Sequence, residues 1–429
     1  MHLRRSATSR RQFLTTALGA GAAMAVPQII PATALGTTDI VAPSERITVG
    51  GIGLGGRGSS DLGCFLRQPD VQFVAVCDVR ATRRVAIKQM VDKHNKNENC
   101  ATYRDLRDLL ARDDIDAVLI ATGPNWHCTA SVMAAKAGKD MYCEKPCTKN
   151  IRQSLILAET MRRTGRIFQA GTQRRSVPHF QFAVQLAQSG KLGKLTSLHA
   201  HPGGMGTGMS GWGKEAPEPN REEADWDLWL GPAAWRPYSE GKMRSAFGFE
   251  KGGGLVGGGV LEWGSHCVDL CQWANETDDT FPSEYHPAVD GRATAYYADG
   301  VELVLRGGGW IGLGSCPVRF EGDEGWVEVG DSGKIVLSSP ELSAGRDLPN
   351  SKGYPATGHV RDFLNCVKTR SQPLANADVA CNGHIACHAL NIAIFLGRTV
   401  KYDPAKHEFI DDEEANRLRS EALRSPWRM

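Results

Sequence analysis

A glycine-rich turn, Gly51-x-Gly53-x-x-Gly56, stands directly after an apolar run (ITVGGIG, residues 47–53) and directly before a segment of helical spacing. Few sequence features restrict a fold more. Glycines at these positions let the chain leave a buried strand, turn sharply and enter a helix with no side chain in the way. The alternation then repeats. VQFVAVCD (71–78), IDAVLIAT (115–122), DMYCEKP (140–146) and RIFQAGTQ (166–173) read as strands, with RATRRVAIKQMVDKH, DLRDLLARD, HCTASVMAAKAG and IRQSLILAETMRRTG as helices between them. Strands alternating with helices of this length predict an α/β fold, a doubly wound parallel sheet over residues 45–171.

From residue 172 to 429 the texture changes. A stretch rich in Trp, Pro and Gly is followed by short β-type segments separated by Asp-Gly, Gly-Asp and Ser-Gly turns, and then by a helical tail. Hairpin turns of this kind predict an α+β domain with a mainly antiparallel open sheet. Within it, ADWDLWLGPAAWRPY (224–238) sets Trp226, Trp229, Trp235 and Tyr238 beside Asp225 and Asp227. Aromatics beside carboxylates suit sugar faces, but packing is the commoner use of such a cluster.

Charge is nearly balanced, with 50 Lys+Arg against 48 Asp+Glu and a net charge of +2, so nothing electrostatic argues for nucleic acid. No apolar run after the N-terminal region is expected to span a bilayer, and none is expected in the mature protein. The twelve cysteines include no C-x-x-C pair. They read as small buried hydrophobes, with neither a metal site nor disulfides expected.

Residues 1–34 have a basic start, the stretch Ser9-Arg10-Arg11-Gln12-Phe13-Leu14, a mildly apolar run and the small-x-small ending Ala32-Thr33-Ala34. This resembles a twin-arginine export signal, with residues 35–44 as linker. Export to the periplasm of a folded protein follows as an expectation, and retention as a membrane anchor is the alternative.

Between strand and helix, the glycine turn predicts a dinucleotide site: Gly51, Gly53 and Gly56 admit a pyrophosphate to the helix N-terminus. Asp78, closing the next strand, is set to accept from ribose hydroxyls. Its charge favours NAD. Arg80, Arg83 and Arg84 nearby leave NADP possible. Ligands of such sheets bind outside the carboxyl ends of the strands, which is where Glu144, Lys145 and Pro146 fall. A lysine there can donate to a substrate oxygen; a structural ion pair with Glu144 is the equal alternative.

The turn, VCDV, DIDAVLIATGPNWH, AAKAGKDMYCEKP and GTQRR, in this order, resemble the glucose–fructose oxidoreductase/inositol dehydrogenase (Gfo/Idh/MocA) family. The tail RLRSEALRSPWRM is similar to those of its exported branch. The resemblance covers essentially the whole chain after the signal. It implies a Rossmann domain, a second domain carrying the substrate pocket, nicotinamide-dependent oxidoreduction of sugars or polyols, and a homodimer or homotetramer. It further implies that Lys145 is catalytic, that Glu144 contacts cofactor, and that the loop with Thr122, Asn125 and His127 lies along the nicotinamide ribose. GGGVLEWGSHCVDLCQW (257–273) matches the segment that supplies the acid/base. Glu262, His266 and Asp269 share a helix face at i, i+4 and i+7, with His266 as the proton carrier and Glu262 or Asp269 orienting its ring. The family usually has Asp where this chain has Glu262, which puts that residue's role in doubt more than that of His266. Gln173, Arg174 and Asp269 are candidate substrate contacts. Two rivals stay open: glycoside cleavage through a transient ketone, and a sugar-binding protein without turnover.

Overall fold

The computed structural model describes residues 41–205, 212–244, 259–345 and 347–429. The segment expected to be an export signal (1–34) and most of the expected linker (35–44) lie outside these residues, as do Gly257 and Gly258. Residues 41–46 belong to a separate short unit with one 3-10 turn, Pro43–Glu45; Ile47–Met429 form one compact unit.

The first half alternates as the sequence predicts: β1 (Ile47–Ile52), α1 (Gly56–Leu66), β2 (Val71–Cys77), α2 (Ala81–Asn95), β3 (Ala101–Tyr103), α3 (Leu106–Leu110), β4 (Ala117–Ile120), α4 (Pro124–Lys136), β5 (Asp140–Cys143), α5 (Ile151–Thr164) and β6 (Phe168–Ala170). All six strands are parallel, in the order β3-β2-β1-β4-β5-β6. The order reverses between β1 and β4, and the crevice at that switch is where such sheets take ligands. Strand β3 is the one the sequence reading missed. It is only three residues long, too short to print an apolar run.

After the 3-10 turn Gln173–Ser176 come α6 (Pro178–Gln188), β7 (Leu195–Ala200), α7 (Trp226–Leu230), α8 (Glu240–Arg244), α9 (Gly259–Ala274), β8 (Glu284–Val289), β9 (Arg292–Tyr296), β10 (Glu302–Arg306), β11 (Val318–Gly322), β12 (Trp326–Val329) and β13 (Ile335–Leu337). The chain ends with α10 (Thr357–Thr369), α11 (Ala377–Leu396), β14 (Val400–Asp403), β15 (Glu408–Phe409) and α12 (Glu413–Arg417). The second sheet has nine strands in the order β13-β12-β11-β7-β10-β9-β8-β14-β15. Only its β7–β10 pair is parallel. The Asp-Gly turn signal is seen at β8–β9, where Asp290 (φ +49) and Gly291 (φ +74) both take the left-handed conformation a tight hairpin needs.

Helices α6, α9 and α11 cover one face of this sheet around a core that includes Phe180, Leu198, Leu270, Tyr285, Phe320 and Leu390. The end of the parallel sheet lies near residue 171, yet the first core also draws on later residues. Val360, Phe363 and Leu364 of α10 pack with Val49, Phe65 and Tyr142. Ala377, Ala380 and Cys381, opening α11, join Met141, Cys143 and Leu157, as does Trp427. A linear boundary at 171/172 cannot express this return. Helix α11 is also long and apolar enough by length and composition to cross a membrane, but 72% of its apolar window is buried inside the protein. All twelve cysteines are buried and unlinked.

Candidate active site

A cleft of about 320 Å³ opens at the carboxyl ends of β1, β2, β4 and β5. Its floor is the glycine turn. Gly53 takes φ +71, and a Cβ there would stand 2.7 Å from Thr122 Cα and 2.9 Å from Thr122 N. Only glycine lets β1 turn this close to the end of β4. At Gly55 and Gly56, by contrast, an added Cβ meets nothing within 4 Å, and both residues line the cleft. Open space before the first turn of an eleven-residue helix, free of any side-chain cap, fits a pyrophosphate. The close contact of helix α1 with β4 falls to Gly58, whose Cβ would be 2.9 Å from that of Ala121. The sequence reading had not singled it out.

Asp78 lies on the cleft wall, where its Oδ1 accepts from Arg80 N at 2.9 Å and burial pushes its carboxyl up from the ordinary range. Arg84 is turned away from the cleft, donating to Asp78 O (2.7 Å) and Glu222 O (3.4 Å). Arg104 pairs with Glu222 at 2.6 Å. Arg80 and Arg83 line the cleft.

A strap from the second half of the chain closes the cleft's outer side. Ala81 N donates to Glu223 O (2.8 Å) and Asp225 N to Val79 O (3.1 Å), at the end of β2. Asn125 Nδ2 donates to Trp229 O and Leu230 O, both at 2.9 Å, and Trp126 Nε1 to Leu228 O at 2.8 Å, at the end of β4. Leu228, Trp229 and Met243 thereby complete the lining. Packing is what most of the aromatic cluster does: Trp226 stacks on Trp229 at 4.5 Å and meets Tyr238 edge-on, while Trp235 is 62% exposed. The strap was illegible in sequence because backbone carbonyls do its binding.

The Glu144 carboxylate, 5% exposed, is the hub of a buried network. It accepts from Gln173 Nε2 (2.5 Å) and Arg57 Nε (3.3 Å), and from the Lys145 amide at 3.3 Å. Arg57 also reaches Asp61 at 2.8 Å. Asp61 is fully buried, and burial followed by the Glu144 charge pushes its carboxyl up to about 9, so it is protonated at neutral pH. Arg57 and Asp61 are site residues the sequence reading missed, although Asp61 lies one helical turn after Arg57. Gln173 is committed to Glu144 and to Tyr142 OH.

Lys145 and its helix partners meet across the two domains. The Lys145–Pro146 peptide is cis. Lys145 Nζ donates to the backbone carbonyl of Glu262 at 3.1 Å, one turn before His266 on α9. His266 is 4% exposed, and its Nδ1 has no hydrogen-bond partner among the described residues. Burial, then the nearby Arg174, Lys145 and Arg57 charges, lower its pKa well below the ordinary histidine value, so the ring is neutral.

Three sequence expectations change here. Asp269 does not orient His266: its carboxylate accepts from Arg175 Nε at 2.8 Å in a buried ion pair that also includes Asp278. Glu262 likewise makes no hydrogen bond to the ring among the described residues, and what reaches Lys145 is its main chain. Both nitrogens of His127 face carbonyls, Pro146 O at 2.7 Å and Thr122 O at 3.0 Å, so this residue clamps the two turns together. Arg174 forks onto Asp331 (2.9 and 2.5 Å), leaving its buried Nη1 without a hydrogen-bond partner among the described residues. No cluster of metal-ligating side chains occurs among the described residues.

Residues 47–172 match the family model described as oxidoreductase family, NAD-binding Rossmann fold, and residues 207–429 match the oxidoreductase family C-terminal alpha/beta domain. The chain belongs to the Gfo/Idh/MocA oxidoreductase family. Among curated relatives, an uncharacterized oxidoreductase, YrbE, of Bacillus subtilis is 30% identical over 37% of this chain and 46% of its own length. A glycosyl hydrolase family 109 protein of Shewanella is 32% identical over 34% of this chain and 33% of its own. These alignments span less than half of either relative. Among solved structures, myo-inositol 2-dehydrogenase from Lactobacillus plantarum superposes with a TM-score of 0.59 at 20% identity, over 83% of this chain and all of that one. Scyllo-inositol dehydrogenase from Lactobacillus casei, solved with NAD(H) and scyllo-inositol, gives 0.58 at 19%, over 83% and 99%. At these identities the likeness is one of fold.

Proposed function

We propose that the protein moves hydride between a secondary hydroxyl of a sugar, polyol or sugar derivative and a tightly held nicotinamide nucleotide. The observation that carries this reading is the convergence of Lys145 Nζ with the His266 helix at the end of β5, beside a glycine cradle with open space in front of it. The bound nucleotide would supply the hydride acceptor or donor. Gly53, Gly55 and Gly56 would hold its pyrophosphate and Asp78 its ribose, with Glu144 and the Thr122 turn on the nicotinamide side. Lys145 donates to the substrate oxygen, polarising the carbon that carries it. Neutral His266 takes the hydroxyl proton at its unpaired Nδ1, or returns it in the reverse direction. Arg174 offers its spare Nη1 to a further substrate oxygen.

NAD is the preferred nucleotide because Asp78 opposes a 2′-phosphate and Arg84 is held by carbonyls, while Arg80 and Arg83 on the cleft wall leave NADP as the alternative. The strap across the cleft supports tight retention, which suits a protein exported through the twin-arginine route to the periplasm. A homodimer or homotetramer is part of the same proposal. The test is deuterium transfer: sugars and polyols labelled at the carbinol carbon should pass label to the nucleotide, and Lys145→Met should abolish transfer while retaining nucleotide.

The similarity to glycosyl hydrolase family 109 proteins favours a second reading, glycoside cleavage through a transient ketone. Release of aglycone with no change in total reduced nucleotide identifies it.

A further inference from the structure

Immediately after His266, Cys267 turns its sulfur toward Cys316, with Sγ to Sγ at 2.8 Å. That is well inside the separation at which unbonded sulfurs rest, and about 0.8 Å beyond a disulfide bond of about 2.05 Å. Both thiols are buried, at 0% and 1% exposure. Helix α9 packs against β7 and β11, so the two backbones already sit at packing distance. Cys316 adopts φ +51, a conformation costly for a residue with a side chain. Cys316 stands in the turn that leads into β11, and its sulfur meets Cys267 there.

The other close thiols differ. Cys143 and Cys147 flank Glu144–Pro146, but their sulfurs face carbonyls: Cys143 Sγ reaches Glu144 O at 3.4 Å, and Cys147 Sγ reaches Cys143 O at 3.8 Å. These two thiols also interact with each other, but each has a carbonyl acceptor besides, whereas the contact of Cys267 and Cys316 is with one another at 2.8 Å. Burial pushes the Cys267 thiol well above its ordinary range, with the Arg174 charge working in the opposite direction. With both thiols out of solvent, the pair stays reduced in the closed fold and exchanges only when a local opening admits an external disulfide.

We propose that Cys267 and Cys316 are a modification site: an internal cross-link that forms after folding and pins the His266 helix to the second sheet. The step is thiol–disulfide exchange. During a local opening of α9, one thiolate attacks an external disulfide and releases a thiol, then the second attacks the mixed disulfide and releases another as the helix closes. Two protein thiols lose their protons and electrons, and one external disulfide becomes two thiols. The expectation that the cysteines need no disulfide holds for the protein as it folds, and the cross-link is a later modification.

The test uses the full chain, reduced, desalted and then held with oxidised glutathione. Samples are denatured in an alkylating reagent and mapped by mass spectrometry. The expected result is a mass lower by two hydrogen atoms before alkylation, ten alkylated cysteines, and one cross-linked peptide joining residues 267 and 316. Complete alkylation of all twelve, or a cross-link joining Cys143 to Cys147, overturns the proposal. Should Cys267→Ser fail to fold, Cys316→Gly suits the φ +51 position and must equally abolish the cross-link. Hydrogen exchange on the wild type supplies the second arm: amides of α9 should slow on oxidation, and unchanged exchange there refutes the pinning.

Discussion

Replacing Gly53 with alanine tests the cradle at its tightest point. The added methyl would stand 2.7 and 2.9 Å from Thr122 backbone atoms, where ordinary contact begins at 3.4 Å. A rotamer change in Thr122 cannot relieve backbone contacts, so the ends of β1 and β4 must part by about 0.7 Å. Overpacking of this kind costs about 1–3 kcal/mol. Holding alanine at φ +71 adds about 1–2 kcal/mol. The stiffer unfolded chain returns about 0.4–1 kcal/mol. Gly53→Ala should therefore lose about 2–4 kcal/mol. Gly55→Ala is the matched control: its methyl meets nothing within 4 Å, so stability should hold within about 0.5 kcal/mol. That methyl occupies the space assigned to the pyrophosphate, however, and nucleotide affinity should fall about tenfold or more. Urea unfolding without nucleotide and NAD titration by tryptophan fluorescence separate the two effects. Equal stability of both variants refutes the steric argument, and unchanged NAD affinity in Gly55→Ala refutes the location of the pyrophosphate.

Other consequences follow from the buried charges. Arg175→Met strands Asp269 in the core and should cost about 3–5 kcal/mol in urea unfolding, much of it restored by adding Asp269→Leu. Asp61 holds a proton to about pH 9 in the folded chain but releases it near pH 4 when unfolded, so its contribution to stability falls as pH rises between those values. Asp61→Asn cannot titrate, and between pH 7 and 9 it should lose about 2 kcal/mol less than the wild type, measured by denaturant midpoints at each pH. Because His266 titrates well below its ordinary value, the acid limb of kcat/KM should fall well under pH 6.5, and a limb at 6.5 would contradict its burial among cations.

How far the sequence led depends on what each feature is made of. The parallel sheet was legible because β1, β2 and β4 are apolar runs separated by helices, and the hairpins because Asp290-Gly291 can take the two positive φ angles. Lys145 and His266 were found by motif, and their meeting across domains depends on a long-range contact between Lys145 Nζ and Glu262 O. What could not be read is tertiary. Arg175, not His266, claims Asp269; α10 crosses back into the first core; and the strap binds through carbonyls, which carry no residue-type signal. A helix face at i, i+4 and i+7 says which side chains are neighbours. It does not say which of them a buried arginine on another element will take.

Hydride transfer at Lys145 to a nucleotide that stays with the protein can be read in one half-reaction. The full chain, purified without added cofactor, is mixed with pooled sugars, polyols and glycosides while nicotinamide absorbance is followed at enzyme-level concentration, with Lys145→Met alongside. A stoichiometric rise is expected in the wild type alone. No nucleotide in the denatured protein, or an equal rise in the variant, would contradict such transfer.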